Sequence, residues 1–389
     1  MQVLVLGGGY AGLLTAKKLE RRLPADATLT LVDDTGDHLV QHELHRVIRK
    51  PGYVDDIVVP IADVLDRASV REGIVDDVDR EHRTVHLADG STFDYDYCVV
   101  ALGAETAYYG IPGVEEYGTP LKRLEHAATI RRNFESLLAS GGGTVVIGGA
   151  GLSGVQVAGE MATMARERGL ADETDVVLVE QEPSVAPAFP ENFQRAVREA
   201  LVDGGVTVRT NATVTEATDS TVRFERGADL DYDQFVWTGG IAGGAALDGE
   251  RPVVRADFRL DEHTFAVGDA ARIVDADGEA VPASASAAVR ASSTVAKNVV
   301  AAVRAEQYGE FADVRQWNWE SPGWLVSIGD DAVAQVGPQV FTGPVATGIK
   351  SAVGVTYLAE HGTLRQALSL LREELDDVDD VATLLKKEL

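Results

Sequence analysis

The chain has 389 residues, 45% of them hydrophobic, enough for two or three packed domains of roughly 100 to 200 residues each. Its 62 acidic residues outnumber 35 basic ones, a formal net charge of −27, which excludes nucleic acid as an expected partner because phosphate binding needs clustered Lys and Arg. The one cysteine, Cys98, rules out an internal disulfide and a CxxC redox pair, and its place in the apolar run "YCVVAL" marks it as a small core residue.

The chain enters a strand at Gln2, without the basic stretch and apolar segment of a signal peptide. No apolar run approaches the ~20 residues that a membrane span needs. A cytoplasmic location, at most on the cytoplasmic face of a membrane, is the expectation. The run "VLVLGGGYAGLLTAKKL" predicts a strand, a glycine turn and a helix, followed by the strand "TLTLVDD" with Asp33 at its end. Gly7 suits the tight turn, Gly9 leaves room for a pyrophosphate at the backbone, and Gly12 lets the helix pack close to the strand. "DHLVQHELHRV" holds His38, His42 and His45. Its H-E-x-H is one residue short of the zinc-protease pattern, so no metal site is expected. "VREGIVDDV", "RTVHLADG" and "TFDYDYCVVALGA" then predict a meander and a strand ending in glycine.

A second copy follows in the same order. "TVVIGGAGLSG" supplies Gly149, Gly151 and Gly154, and "DVVLVE" ends at Glu180. "VTVRTNATVTEA", "TVRFERGAD" and "DYDQFVWTGG" repeat the meander and the glycine-tipped strand. One G-x-G-x-x-G is weak evidence, but two, each with its strand, helix and acidic strand end, are strong evidence for two dinucleotide sites. An acid about 20 residues beyond the last glycine can hydrogen-bond a ribose 2′-OH and repels a 2′-phosphate, so NADH is favoured over NADPH. The strand in "EHTFAVGDAARI" completes the first fold with Gly268 and Asp269, and Pro282 precedes a long helix.

With these motifs the chain resembles the two-dinucleotide-fold flavoprotein reductases, and among them the type II NADH dehydrogenases. The resemblance covers about residues 1 to 360 and rests on "LGGGYAG", "ALGAETAYYGIPGVEEYGTPLKRLEHA", "GGAGLSGVQVAGE", "VWTGGI" and "TFAVGDAA". It implies that the first loop binds FAD and the second NADH. Gly7, Gly9, Gly12 and Asp33 would hold the FAD pyrophosphate and adenosine, Val75 the adenine through its backbone, and Asp269 the ribityl region. Gly8, Tyr10, Ala11, Ala101, Gly103, Gly240 and Gly268 complete the cofactor set. The N-terminus of the long helix after Pro282 would suit the anionic edge of a reduced flavin.

The candidate catalytic residues are Gln156, where the family usually carries Glu beside the nicotinamide, and Lys350, read either as a surface charge or as a cation near the flavin. Glu160 reads as structural. No Gln lies between Ser284 and Arg290, where relatives carry them at the quinone side, so another pocket shape or another acceptor stays open.

The fold class expected is α/β, with two Rossmann-like dinucleotide-binding domains of the three-layer ββα type and a smaller C-terminal α+β domain. The expected partition is an FAD domain from 1–105 and 250–310, an NAD domain from 106–249, and a C-terminal cap from 311–389. Trp317, Trp319 and Trp324 are expected on a hairpin of that cap. The apolar positions Leu364, Leu368, Leu371 and Leu375 predict an amphipathic helix for domain packing, a homodimer contact or a membrane face. The expected activity is hydride transfer from NADH to FAD and on to a quinone-like acceptor. A ferredoxin-type reductase, or an NADH-sensing flavoprotein like the apoptosis-inducing factors, is the alternative. The dispersed acids suit a salt-rich, halophilic cytoplasm.

Overall fold

The computed structural model describes residues 1–350. They fall into two compact units. The first comprises Met1–Val40, Val58–Glu105 and Ile241–Glu320. Its centre is a five-stranded parallel sheet in the order Thr264–Ala266, Tyr97–Val100, Gln2–Leu6, Thr28–Asp33, Ser69–Glu72. Of its three inner strands, Gln2–Leu6 and Tyr97–Val100 are apolar and buried almost throughout, as strands covered on both faces must be. Helix Tyr10–Leu19 packs against the long helix Ala285–Tyr308. The long helix starts where Ser284 Oγ accepts from the Ala287 amide at 3.2 Å and stops at Gly309, whose φ of +67° only glycine adopts at ease. An antiparallel meander, Val75–Asp79, Thr84–Leu87 and Thr92–Asp94, supplies the second β layer.

The second unit comprises Gln41–Ile57, Thr106–Gly240 and, among the described residues, 321–350. It repeats the plan with a four-stranded parallel sheet in the order Val206–Arg209, Thr174–Val179, Gly143–Gly148, Gln234–Trp237. Helices Leu124–Ala139, Leu152–Glu167 and Glu191–Asp203 flank it, and Val214–Ala217, Thr221–Phe224 and Leu230–Asp231 form its meander. A three-stranded antiparallel sheet, Trp324–Ile328, Asp331–Val336 and Gln339–Thr342, packs against helix Leu152–Glu167. Gly159 makes that approach feasible, because a Cβ there would sit 2.6 Å from the Ile328 Cα.

The divisions differ from the sequence partition, and residues 241–249, expected in the NAD domain, fall in the first unit. Residues 41–57 cluster with the second glycine loop, not the first. The stretch to Glu320 belongs to the first unit, and the sheet after it to the second. Only Trp324 lies on the hairpin, edge-on to Phe189 at 4.9 Å. Trp317 instead packs 5.4 Å from Phe258 in the first unit, with Trp319 beside it at 5.9 Å. An extended segment rich in aromatics looks like a hairpin in sequence, but no strand forms in it before Trp324. The amphipathic stretch around Leu364 to Leu375 lies outside the described residues. Among the described residues no helix is long and apolar enough to cross a membrane.

Candidate functional site

In the first unit, strand Gln2–Leu6 turns at Gly7, whose φ is +97°. A side chain there would strike the Ala101 carbonyl at 2.4 Å, and one at Gly12 would meet the Gly7 carbonyl at 1.8 Å. Gly9 is different. It caps helix Tyr10–Leu19 with an extended backbone, and a Cβ there meets nothing within 4 Å. No side chain caps this helix end and no acid lies in its first turn, so the positive end of its dipole is not already neutralised by a carboxylate of that turn. Asp33 closes the cradle. Its Oδ2 accepts from the Gly8 amide at 2.7 Å and its Oδ1 from the Thr35 and Gly36 amides at 3.0 and 3.1 Å. Thr35 Oγ also donates to Oδ1 at 2.9 Å, so it is Oδ2, with Gly8 as its one partner among these bonds, that keeps a lone pair for a sugar hydroxyl.

Some of the other residues singled out in the sequence lie near the same turn, and others are placed only by their own element. Gly268, at φ +69°, lies against Ala11 and Ala288. The Asp269 carbonyl accepts from Arg251 Nε at 2.6 Å, and Ala271's from Arg251 Nη2 at 3.0 Å, so one guanidinium fixes the turn. Gly103 adopts φ +73°. Val75 is half-buried at the start of the meander. His38 is buried and donates from Nδ1 to the Gly8 carbonyl at 2.9 Å, with Tyr10 edge-on to its ring. It supports the loop from behind.

The second unit repeats this geometry. Gly149 has φ +93°, a Cβ at Gly154 would meet the Gly149 carbonyl at 1.9 Å, and Gly151 caps helix Leu152–Glu167 facing open space. Glu180 Oε2 accepts from the Ala150 amide at 2.7 Å, as Asp33 does from Gly8. Gly239 closes on Gly149, and Gly240, at φ +153°, leaves room for the Tyr109 hydroxyl.

Beside this second cradle lies a buried polar cluster that the sequence did not disclose. Glu43 sits with Lys350 Nζ at 3.3 Å, Arg46 at 3.4 Å and His42 at 3.5 Å. Burial pushes its carboxyl up, but Lys350, His42, Arg46 and His45 more than offset this and hold it well below the usual carboxylate range. Lys350 is therefore not a free surface charge, since its side chain is 11% exposed and pairs with a buried acid. Glu160 accepts from Arg49 Nε at 2.7 Å, and the same guanidinium reaches Glu167 and Asp330 at 2.8 Å each. Burial still raises the Glu160 carboxyl above its ordinary value. His45 Nε2 lies 2.7 Å from Ser327 Oγ and 3.9 Å from Glu160. Burial, then Lys350, keeps this imidazole neutral. Gln156 Nε2 stands 3.5 Å from both the His42 carbonyl and Ser327 Oγ. Among the described residues no cluster of His, Cys, Asp and Glu could hold a metal ion.

Residues 1–292 match the family described as Pyridine nucleotide-disulphide oxidoreductase. The chain belongs to that family. The pyridine nucleotide-disulphide oxidoreductase fold is shared with NDH2 from Plasmodium falciparum in complex with NADH, at a TM-score of 0.82 and 14% identity, covering 96% of this chain and 97% of that one. The sulfide:quinone oxidoreductase of Aquifex aeolicus matches with a TM-score of 0.77 at 19% identity, over 93% and 91%. By sequence, the type II NADH:quinone oxidoreductase of Staphylococcus haemolyticus is 26% identical over 383 residues, 90% of this chain and 94% of that protein. The Staphylococcus aureus protein of the same name is 25% identical over the same extent. For a pyridine nucleotide-disulphide oxidoreductase this chain lacks the disulphide half of the name. Cys98 is its one cysteine, it is fully buried in a central strand, and burial pushes its thiol far up.

Proposed function

We propose that the chain is an FAD-dependent NADH oxidoreductase that takes a hydride from NADH and passes electrons to a quinone-like acceptor. The observation that carries this reading is the doubled cradle. Each unit has a glycine turn, an uncapped helix start with open ground at Gly9 or Gly151, and a carboxylate behind it. A hydride needs one donor and one acceptor nucleotide, and one chain here offers a place for each. The type II NADH:quinone oxidoreductases among its relatives support quinone as the acceptor class.

In this reading Gly7, Gly8, Gly9, Tyr10, Ala11 and Gly12 receive the FAD pyrophosphate, and Asp33 its adenosine ribose. Val75 meets the adenine, while Ala101, Gly103, Gly268 and Asp269 border the flavin half. Gly149, Gly151, Gly154 and Gly240 receive NADH. Glu180 binds the adenosine ribose and repels a 2′-phosphate. Bound flavin supplies the hydride acceptor and the onward electrons, and the protein supplies orientation and electrostatics. Gln156 contacts the nicotinamide side, and Lys350 together with Arg46 outweighs the charge of Glu43 and keeps the flavin side cationic. The expected setting is the cytoplasm, with attachment to the cytoplasmic face of a membrane and a homodimer as the arrangements to test.

The test is turnover of purified holoprotein with NADH and, in turn, menadione, ferricyanide and oxygen. Fast NADH oxidation with menadione is expected. Reduction by NADH followed by slow reoxidation with every acceptor overturns the enzyme reading in favour of an NADH-sensing flavoprotein.

A further inference from the structure

Against a net charge of −27, two stretches of the chain run the other way. "QHELHRVIRK" (41–50) and "KRLEHAATIRR" (122–132) together carry seven Lys and Arg against two acids, Glu43 and Glu125. Both belong to the second unit, and the fold brings them side by side. Arg131 Nη1 donates to the Ile48 and Arg49 carbonyls at 3.0 and 2.7 Å, and Gln41 Nε2 to the Lys122 carbonyl at 3.4 Å. Three of the seven cations serve nearby acids: Arg49 meets Glu160, Glu167 and Asp330, Arg46 meets Glu43, and Arg131 meets Glu135. Lys50, Lys122, Arg123 and Arg132 make up the outer face, the first two half-buried and the last two exposed. Lys122 and Arg123 precede helix Leu124–Ala139, where the positive end of the helix dipole adds to their charge instead of balancing it. Glu125 is the one acid of that first turn. A cationic face on so acidic a chain calls for an anion.

We propose that this face is the docking site for the chain's own acidic stretch "EELDDVDD" (373–380). That stretch has six acids in eight residues and no cation. The chain approaches it from the right place. Lys350, the last described residue, lies 3.3 Å from Glu43 inside the 41–50 stretch. From there to Glu373 the chain spans about 35 Å if helical and up to about 75 Å if extended, so either course reaches the adjoining 122–132 stretch. An acidic protein or an anionic lipid surface is repelled by the overall charge of the molecule before it meets these cations. An attached segment is instead offered to them at about millimolar effective concentration, whatever the protein concentration. Docked there, 373–380 covers the cations with carboxylates and closes the face to outside anions. The proposal depends on neither nucleotide assignment.

The experiment treats full-length, FAD-loaded protein with a carbodiimide, which joins a lysine to a carboxylate only where the two are in contact. At about 0.1 M potassium chloride, Lys50 or Lys122 is expected to be joined to the peptide carrying 373–380. At about 2 M the yield is expected to fall about ten-fold, because the Debye length drops from about 10 Å to below about 3 Å. Arg123→Glu with Arg132→Glu leaves both lysines in place and is expected to lower the yield about ten-fold at low salt. Unfolding midpoint and flavin content are recorded, and if the double variant does not fold, Arg132→Glu alone decides, with a fall of about three-fold expected. Folded wild-type protein in which neither lysine is joined to 373–380, or a yield that salt and charge reversal leave unchanged, overturns the proposal. Links between heavy and light chains in a mixture of isotopically labelled and unlabelled protein overturn it in favour of a second copy of the chain. Binding of the wild type to phosphatidylglycerol vesicles at about 0.1 M salt, with loss of the link, overturns it in favour of a lipid surface.

Discussion

Gly9 and Gly12 are three residues apart and obey different constraints. At Gly12 the chain itself forbids a side chain, whereas at Gly9 the protein leaves open space and an ordinary extended backbone. Gly9→Ala and Gly151→Ala are therefore expected to fold with stability within about 0.5 kcal/mol of wild type. Any loss in them should appear as ligand binding alone, at least ten-fold in FAD retention for Gly9→Ala and in NADH affinity for Gly151→Ala, read by flavin content and by KM. Gly12→Ala and Gly154→Ala should lose several kcal/mol of stability in denaturant titrations, because a Cβ there overlaps a backbone oxygen. Gly9→Ala that kept its flavin would contradict the cradle. These glycines were legible in the sequence because a tight turn and a close helix impose local rules. Asp33 and Glu180 were legible as strand-end acids, but not their bonds to the Gly8 and Ala150 amides, which depend on how the turn folds back. His45 was visible as one of three histidines around an abortive zinc pattern, but not as a buried partner of the hairpin. Its partner Ser327 is 282 positions away, and no local rule links the two.

The elements around helix Leu152–Glu167 are joined by charge as much as by apolar packing. Arg49→Met keeps the volume of the side chain but leaves Glu160 buried without its cation. It should cost about 3 kcal/mol or more in denaturant titrations, and Glu160→Gln in the same background should recover part of that. A cost within error of zero would mean that the pair is not buried together. The same elements set an acid limb. The folded-state pKa of His45 is depressed by burial, so its contribution to stability is full above its ordinary value of 6.5 and is lost as pH falls through the lower folded value. His42 shifts the same way. Stability should therefore decline steadily below pH 6.5, and His45→Asn should flatten that decline. A wild-type profile that is flat from 6.5 down to 5 would argue against a buried neutral imidazole. Helices and parallel strands of both units were read correctly from apolar runs and glycine stops. The hairpin was read correctly only from Trp324 on, because an extended aromatic segment and a strand share the same composition.

Across the whole molecule, a net charge of −27 sets the background on which everything else acts. Self-repulsion between like charges is screened by salt, with a Debye length near 3 Å at about 1 M. The unfolding midpoint is expected to rise by several degrees between 0.1 and about 2 M potassium chloride, with most of the gain below about 1 M, where screening changes fastest. An unchanged midpoint would remove the case for a high-salt setting. The repeat of strand, glycine turn, helix and meander made the two-fold organisation readable, because each copy satisfies the same local geometry. The allocation of 41–57 to the second unit was not readable, since it follows from tertiary contacts of Arg49, Glu43 and His45 with residues far along the chain.

The central claim is that one chain holds a flavin and a nicotinamide nucleotide and passes electrons between them. Anaerobic titration of the purified protein with NADH, followed through the flavin's visible absorption, tests it most directly. The account expects a yellow protein that bleaches fully with one equivalent of NADH and needs many more equivalents of NADPH. A protein that is colourless after reconstitution with FAD in high salt, or a yellow one that NADH leaves unbleached, would contradict it.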